Sequence, residues 1–123
     1  MTADEEFHRN ELVALLADIL HWGDRVAKHV DGLSEADFLS DQTAADAVCW
    51  CIGCIGEAAG AIRRQWPDLE SKLPALELGN AYAMRNRIMH GYASVDLRVV
   101  WRAATISVPR LVEMTRRHLD DVK

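Results

Sequence analysis

The chain has 123 residues, half of them hydrophobic, and a net charge of -5. This length predicts one domain, residues 1–123, whose core needs neither disulfides nor a metal for stability. The excess of acidic residues argues against binding long nucleic acids through a general positive field, so any such contact must be local.

The N-terminal segment and the cysteines predict a cytoplasmic protein. MTADEEFHRN begins with acidic residues and lacks the basic region and apolar run of a secretory signal. Three cysteines, an odd number, fit a reducing compartment better than a disulfide framework.

Apolar residues recur at steps of three and four and predict an all-α bundle of four or five helices. The four main segments are residues 4–30, 43–66, 76–91 and 96–123. Gly32 suits the end of the first helix, and Ser34 with Asp37 predicts the capped start of a short one. Residues 67–74 predict a connection with one helical turn, and Pro109 should kink or divide the last segment.

Residues 43–66 are the least polar segment and are long enough to suggest a membrane span. Asp46 and Glu57 interrupt this segment, and Arg63 and Arg64 close it. Because acidic residues inside a membrane are rare and costly, we expect a central buried helix of a soluble bundle instead.

Gly53, Gly56 and Gly60 follow one another at steps of three and four on that helix. Each costs about 1 kcal/mol relative to alanine within a helix. Their spacing leaves one face without side chains and predicts that another helix approaches closely there.

Cys49, Cys51 and Cys54 form a CxCxxC pattern that resembles a metal site only until it is placed on a helix. At about 100° per residue the three thiols diverge, and no histidine or fourth cysteine stands nearby to complete a tetrahedral set. We therefore predict no metal site and interpret these cysteines as packing residues.

Glu57 lies in an otherwise apolar stretch, IGEAAG, where a carboxylate requires a partner. Two interpretations are open. The residue forms a structural ion pair or hydrogen bond in the core, or it orients a basic residue of a functional site across the bundle.

The stretch RNRIMHGY, residues 85–92, concentrates polar chemistry at the end of the third main segment. Asn86 and His90 share a helix face, whereas Arg85 and His90 lie about 140° apart. A histidine that moves a proton and an arginine that holds a phosphate are the groups needed to cleave RNA without a metal. The stretch is either a structural helix end or such a site, completed by a bent arginine side chain or by a second copy of the chain.

Arg85, His90 and Tyr92 match the RxxxxHxY motif of HepT-like toxins of the HEPN superfamily, which the chain resembles. Further segments of the resemblance follow in the same order: IGEA at 55–58, QWPDLE at 65–70, VDLRVVW at 95–101 and VPRLVEM at 108–114. The resemblance covers about residues 43–119.

The resemblance implies a HEPN-type bundle that forms a homodimer with both motif copies lining one cleft. It also implies a metal-independent endoribonuclease, the toxin of a type II-like HEPN/MNT toxin–antitoxin system. In the sites it implies, Arg85 and His90 are catalytic and Asn86 supports them. Arg87 is a further candidate for contact with RNA, as are Arg63, Arg64 and Arg98.

The implied partner is an MntA-like minimal nucleotidyltransferase that neutralises the toxin by transferring AMP to Tyr92. The toxin itself would need no cofactor, since ATP is used by the antitoxin. The alternative is a non-catalytic HEPN helical dimer that binds a nucleotidyltransferase or a nucleotide.

Overall fold

The computed structural model describes residues 1–122, and this range contains helices and turns but no strand. The α-helices are α1 (Ala3–Val30), α2 (Glu35–Leu39), α3 (Gln42–Gln65), α4 (Leu69–Lys72), α5 (Leu78–Gly91), α6 (Leu97–Arg102) and α7 (Val108–Val122). The prediction of an all-α bundle is confirmed. Lys123, the last residue of the predicted final helix, lies outside the described residues.

Local interactions end α1 and begin α2 where the sequence predicts. Gly32 follows α1 with a φ of 77°, the left-handed conformation that glycine adopts readily. Ser34 and Asp37 form the capping box of α2, in which each side chain accepts from the other's backbone N–H. The hydrogen bonds from Ser34 lower the pKa of the Asp37 carboxyl.

Helix α3 is the centre of the bundle and packs against both α1 and α5, while α1 also packs against α7. Among the described residues it is the one helix long and apolar enough to cross a membrane. However, 67% of its most apolar window is buried by the rest of the chain. This burial fits the predicted central helix.

Helix α5 begins two residues later than the periodicity predicts and ends at Gly91 as predicted. A short 3₁₀ turn, Pro74–Leu76, precedes it, and Glu77 then has a φ of 48°, which turns the chain into the helix. Gly91 has a φ of -156°, so the helix does not end through a left-handed glycine. A second 3₁₀ turn, Tyr92–Ser94, follows directly.

The last segment is divided, as Pro109 predicts. The five residues Ala103–Ser107 form a π-helical turn between α6 and α7. Pro109 has no N–H to donate and its ring excludes the carbonyl four residues earlier, so a local change of helical pitch before it is expected.

A groove of about 500 Å³ separates α5 from α7, with Ile52 and Ile55 of α3 in its lining. Arg87 of α5 and Arg110 of α7 also line it. The groove therefore lies between α5 and α7, with α3 contributing to its lining.

Candidate active site

Glycines bring α3 and α5 into close contact. A Cβ at Gly56 would collide with the Cβ of Arg85 and lie 2.7 Å from the carbonyl oxygen of Ala81. A Cβ at Gly60 would lie 2.7 Å from Cε1 of Tyr82. The predicted close approach at Gly56 and Gly60 is confirmed, and the approaching helix is the one that carries the RNRIMHGY motif.

This contact line organises the site, and we call it the α3–α5 seam. It comprises the facing residues Gly53, Gly56, Glu57 and Gly60 of α3 and Tyr82, Arg85 and Met89 of α5. Because its glycines leave little room between the backbones, the position of Arg85 relative to α3 is tightly defined.

The guanidinium of Arg85 is held from two sides. Its Nε lies 3.0 Å from Oε2 of Glu57, and its Nη1 donates to Oδ1 of Asn86 over 2.9 Å. The side chain is only 25% exposed. Since a guanidinium has more N–H donors than these two contacts use, the remaining donors are available to an anion.

Glu57 has the partner that the sequence analysis required, but the pair is not in the core. The side chain of Glu57 is 62% exposed at the edge of the seam, so the expectation of a core ion pair is wrong. Because the carboxylate reaches across from α3 to Arg85, the interpretation that it orients a basic residue of a site fits the geometry.

His90 lies exposed in the last turn of α5, one turn beyond Asn86. Among the described residues it has no side-chain hydrogen bond or ion pair. The structure does not place it against Arg85, as the offset of about 140° already indicated. The site therefore combines a fixed cation with an accessible imidazole.

Tyr92 follows the helix in the 3₁₀ turn and is 39% exposed. Its hydroxyl donates to the carboxylate of Asp46 on α3. Nε2 of Gln42 donates to Oδ1 of Asp46 over 2.7 Å and approaches the Tyr92 oxygen at 3.4 Å. The tyrosine hydroxyl is thus held against α3, while the residue as a whole stays partly exposed.

Sequence reasoning missed Asp46 and Gln42 as neighbours of Tyr92. A signal for Asp46 was present, because it precedes Glu57 by eleven residues, about three helical turns, and so shares its face. Nothing in the sequence identified Tyr92 as the residue opposite it.

Arg87 does not share the α3–α5 seam. It lines the groove between α5 and α7 together with Ser107 and Arg110, on another side of the helix from Arg85. A contact of Arg87 with RNA remains a prediction.

All three cysteines lie on α3, but they do not all diverge: Cys51 and Cys54 are three residues apart on one helix face, and burial followed by the charge of Cys51 raises the pKa of the Cys54 thiol. Cys49 and Cys51 are buried and Cys54 is partly exposed, and all three thiols are free. Within residues 1–122 no group of three or more histidine, cysteine or acidic side chains could hold a metal. Burial, reinforced by Asp46, raises the pKa of the Cys49 thiol to about 11.

We expect the three thiols to react at different rates because their environments differ. With iodoacetamide at pH 8, Cys54 should be alkylated first and Cys49 last, because the reactive thiolate of Cys49 is suppressed by burial. Peptide mass spectrometry over time would measure the order, with urea-denatured protein as the control in which all three react. Equal rates for Cys49 and Cys54 in the folded protein would contradict the packing described above.

Comparison with known proteins identifies the family. Residues 19–118 match the family described as "Ribonuclease HepT-like", and the chain belongs to it. The chain is 25% identical over 115 residues to "Putative RNase MJ1216" of Methanocaldococcus jannaschii, covering 94% of this chain and 93% of the relative. It is 33% identical over 75 residues to "Probable ribonuclease HepT" of Thermococcus cleftensis, covering 61% of this chain and 66% of the relative. No solved structure matches the chain significantly.

Proposed function

We propose that this protein is a metal-independent endoribonuclease and the toxin of a toxin–antitoxin pair. The observation that carries the proposal is the arrangement of Arg85, held by Glu57 and Asn86, on the same helix as an exposed His90. Membership of the ribonuclease HepT-like family supports it.

The reaction follows from the chemistry of these groups. His90 accepts the proton of a 2′-hydroxyl, and the 2′-oxygen forms a bond to the adjacent phosphorus. The bond from phosphorus to the 5′-oxygen breaks, the leaving oxygen takes up a proton, and the products end in a 2′,3′-cyclic phosphate and a 5′-hydroxyl. Arg85 stabilises the charge that develops on the non-bridging oxygens.

Purified protein and labelled RNA test this proposal. We expect cleavage in EDTA and products with cyclic phosphate ends. Absence of cleavage, together with retained binding of a nucleotide or a nucleotidyltransferase, would instead favour a non-catalytic helical dimer. Cleavage that requires added Mg²⁺ would overturn the metal-independent mechanism.

Glu57 should support the reaction through Arg85. We expect Glu57→Gln to lower kcat/KM for RNA by about 10-fold, because the guanidinium loses the charge that orients it. Glu113→Gln is the matched control, since it removes the exposed Glu113–Arg117 pair on α7. Equal losses in the two variants would show that Glu57 has no specific role in the site.

Two copies of the chain would complete the site. Trp50 and Met89 are 62% and 54% exposed. Met89 lies opposite Gly53 of the seam, and Trp50 precedes Gly53 by three residues, close to one turn of α3. Large apolar side chains exposed together beside a site favour a protein interface. We expect light scattering at micromolar concentration to give a dimer, and Trp50→Asp to give an inactive monomer.

Ile106→Asp is the matched control for that experiment. Ile106 is 52% exposed but belongs to the π-helical turn rather than to the seam. A wild-type monomer, or a Trp50→Asp dimer with full activity, would contradict the composite site.

The accessible Tyr92 supports control by a cognate MntA-like nucleotidyltransferase antitoxin that uses ATP. The residue lies in the turn directly after the motif helix, two residues from His90, and its hydroxyl would have to leave Asp46 to be modified. AMP attached there would add negative charge and bulk near the cleft and oppose the RNA phosphate. Co-expression with the antitoxin should add the mass of AMP to the peptide containing Tyr92, and an unmodified peptide in neutralised toxin would exclude this control.

A further inference from the structure

A second cavity, of about 320 Å³, lies where the α3–α5 seam reaches the C-terminal end of α3. Its lining residues are Gly60, Arg63, Arg64, Pro67, Glu70 and Tyr82. Neither the catalytic residues nor Tyr92 belongs to it. We call it the Arg64 pocket.

The charges of the Arg64 pocket leave one arginine uncompensated. Oε2 of Glu70 lies 2.9 Å from Nε of Arg63, and its Oε1 accepts from the backbone N–H of Gly79 over 2.7 Å. Glu70 is therefore paired with a cation and with the N-terminus of α5. Arg64 has no ion pair among residues 1–122, so the pocket offers one cation to an external anion.

Tyr82 supplies a flat aromatic wall beside that cation. Its ring is partly buried against Gly60, and Nη1 of Arg64 approaches the same glycine, 3.3 Å from where a Cβ would lie. An aromatic ring and a guanidinium beside the same glycine can together bind a nucleotide, because the ring can stack on the base while the arginine binds the phosphate.

The pocket lies within the span of a short nucleic acid strand held at Arg85. Arg64 lies seven residues from Glu57 along α3, about 10 Å at 1.5 Å per residue. Stacked nucleotides advance about 3.4 Å each along one strand, so this separation corresponds to roughly three nucleotides.

We propose that the Arg64 pocket binds a neighbouring nucleotide of single-stranded RNA, with Arg64 on its phosphate and Tyr82 against its base. This inference rests on the proposed ribonuclease function, because the strand is positioned by a phosphate at Arg85. The pocket lengthens the RNA site along the α3–α5 seam and explains how an acidic protein obtains a local RNA contact.

Binding is tested with a fluorescein-labelled 12-nucleotide RNA of mixed sequence, in EDTA, on protein carrying His90→Ala to prevent cleavage. Adding Arg64→Ala should weaken binding about 5- to 10-fold. It should also reduce the slope of the logarithm of the binding constant against the logarithm of salt concentration by about one. Adding Tyr82→Leu should weaken binding about 10-fold, whereas Tyr82→Phe should not, because phenylalanine keeps the ring. Arg116→Ala, an exposed arginine that faces Asp24 on α1, is the matched control.

Cleavage assays on protein that retains His90 distinguish a role in the pocket from a role in catalysis. Arg64→Ala should slow cleavage of the 12-nucleotide RNA at limiting concentration but leave cleavage of a dinucleotide unchanged, because a dinucleotide does not reach the pocket. If Arg64→Ala and Arg116→Ala bind and cleave the longer RNA alike, the pocket proposal is overturned while the ribonuclease proposal stands. If the wild-type protein cleaves nothing yet binds the RNA through Arg64, the pocket stands and the ribonuclease proposal fails.

Discussion

Replacing His90 with alanine is expected to lower the rate of RNA cleavage by about 10²- to 10⁴-fold, the usual contribution of a positioned acid or base. The fold should be unaffected, because the imidazole is exposed and has no side-chain hydrogen bond or ion pair among residues 1–122. Exposed substitutions of this kind change the free energy of unfolding by about 0.5 kcal/mol or less. The rate and the melting temperature, measured on the same preparations, would separate chemistry from stability.

His90→Ala should also differ from the wild type when it is expressed in cells. Expression of the wild-type chain without its antitoxin should arrest growth and degrade RNA, whereas His90→Ala should do neither. His21→Ala is the matched control, since His21 is an exposed histidine on α1, outside the motif. If His90→Ala arrests growth and degrades RNA as wild type does, the proposed chemistry is wrong.

Gly56→Ala is expected to destabilise the protein and Gly53→Ala is not, although both replace a glycine on the same helix. At Gly56 the new Cβ would meet the Cβ of Arg85 and the carbonyl oxygen of Ala81, so the backbones of α3 and α5 must separate. Overpacking of this kind costs about 1–3 kcal/mol. At Gly53 the nearest atom is Sδ of Met89 at 3.9 Å, an ordinary contact, and the higher helix propensity of alanine should stabilise the protein slightly.

Thermal unfolding measures the difference between these two variants. At about 2–8 °C per kcal/mol, Gly56→Ala should melt roughly 5–10 °C below wild type, and Gly53→Ala at or slightly above it. Activity should fall with Gly56→Ala even below its melting temperature, because Arg85 moves with α5. A Gly56→Ala protein as stable as Gly53→Ala would show that the helices do not meet at this glycine.

The sequence was most informative where structure depends on neighbouring residues. The capping box of Ser34 and Asp37, the end of the first helix at Gly32 and the interruption of the last segment before Pro109 are all local properties, and all were predicted. The spacing of the glycines on α3 also predicted a close helix contact. Its partner could not be predicted, since spacing on one helix does not specify which other helix packs on it.

The sequence also identified the candidate site through the motif of Arg85, His90 and Tyr92. It could not show that Glu57 reaches Arg85 from an exposed edge, or that Tyr92 donates to Asp46. It likewise could not place Arg87 in the groove facing α7 rather than on the α3–α5 seam. These pairings depend on how far each helix is rotated about its axis and how closely the axes approach.

The sequence by itself thus determined the main helical segments, several of their ends, the motif and the family resemblance, because periodicity, caps and residue order are properties of the chain. Tertiary structure alone decided which groups meet. Close packing at Gly56 and Gly60 brings Arg85 to Glu57 and places Tyr82 beside Arg64. Contacts between residues far apart in the chain arise only when the helices pack, so no local pattern encodes them.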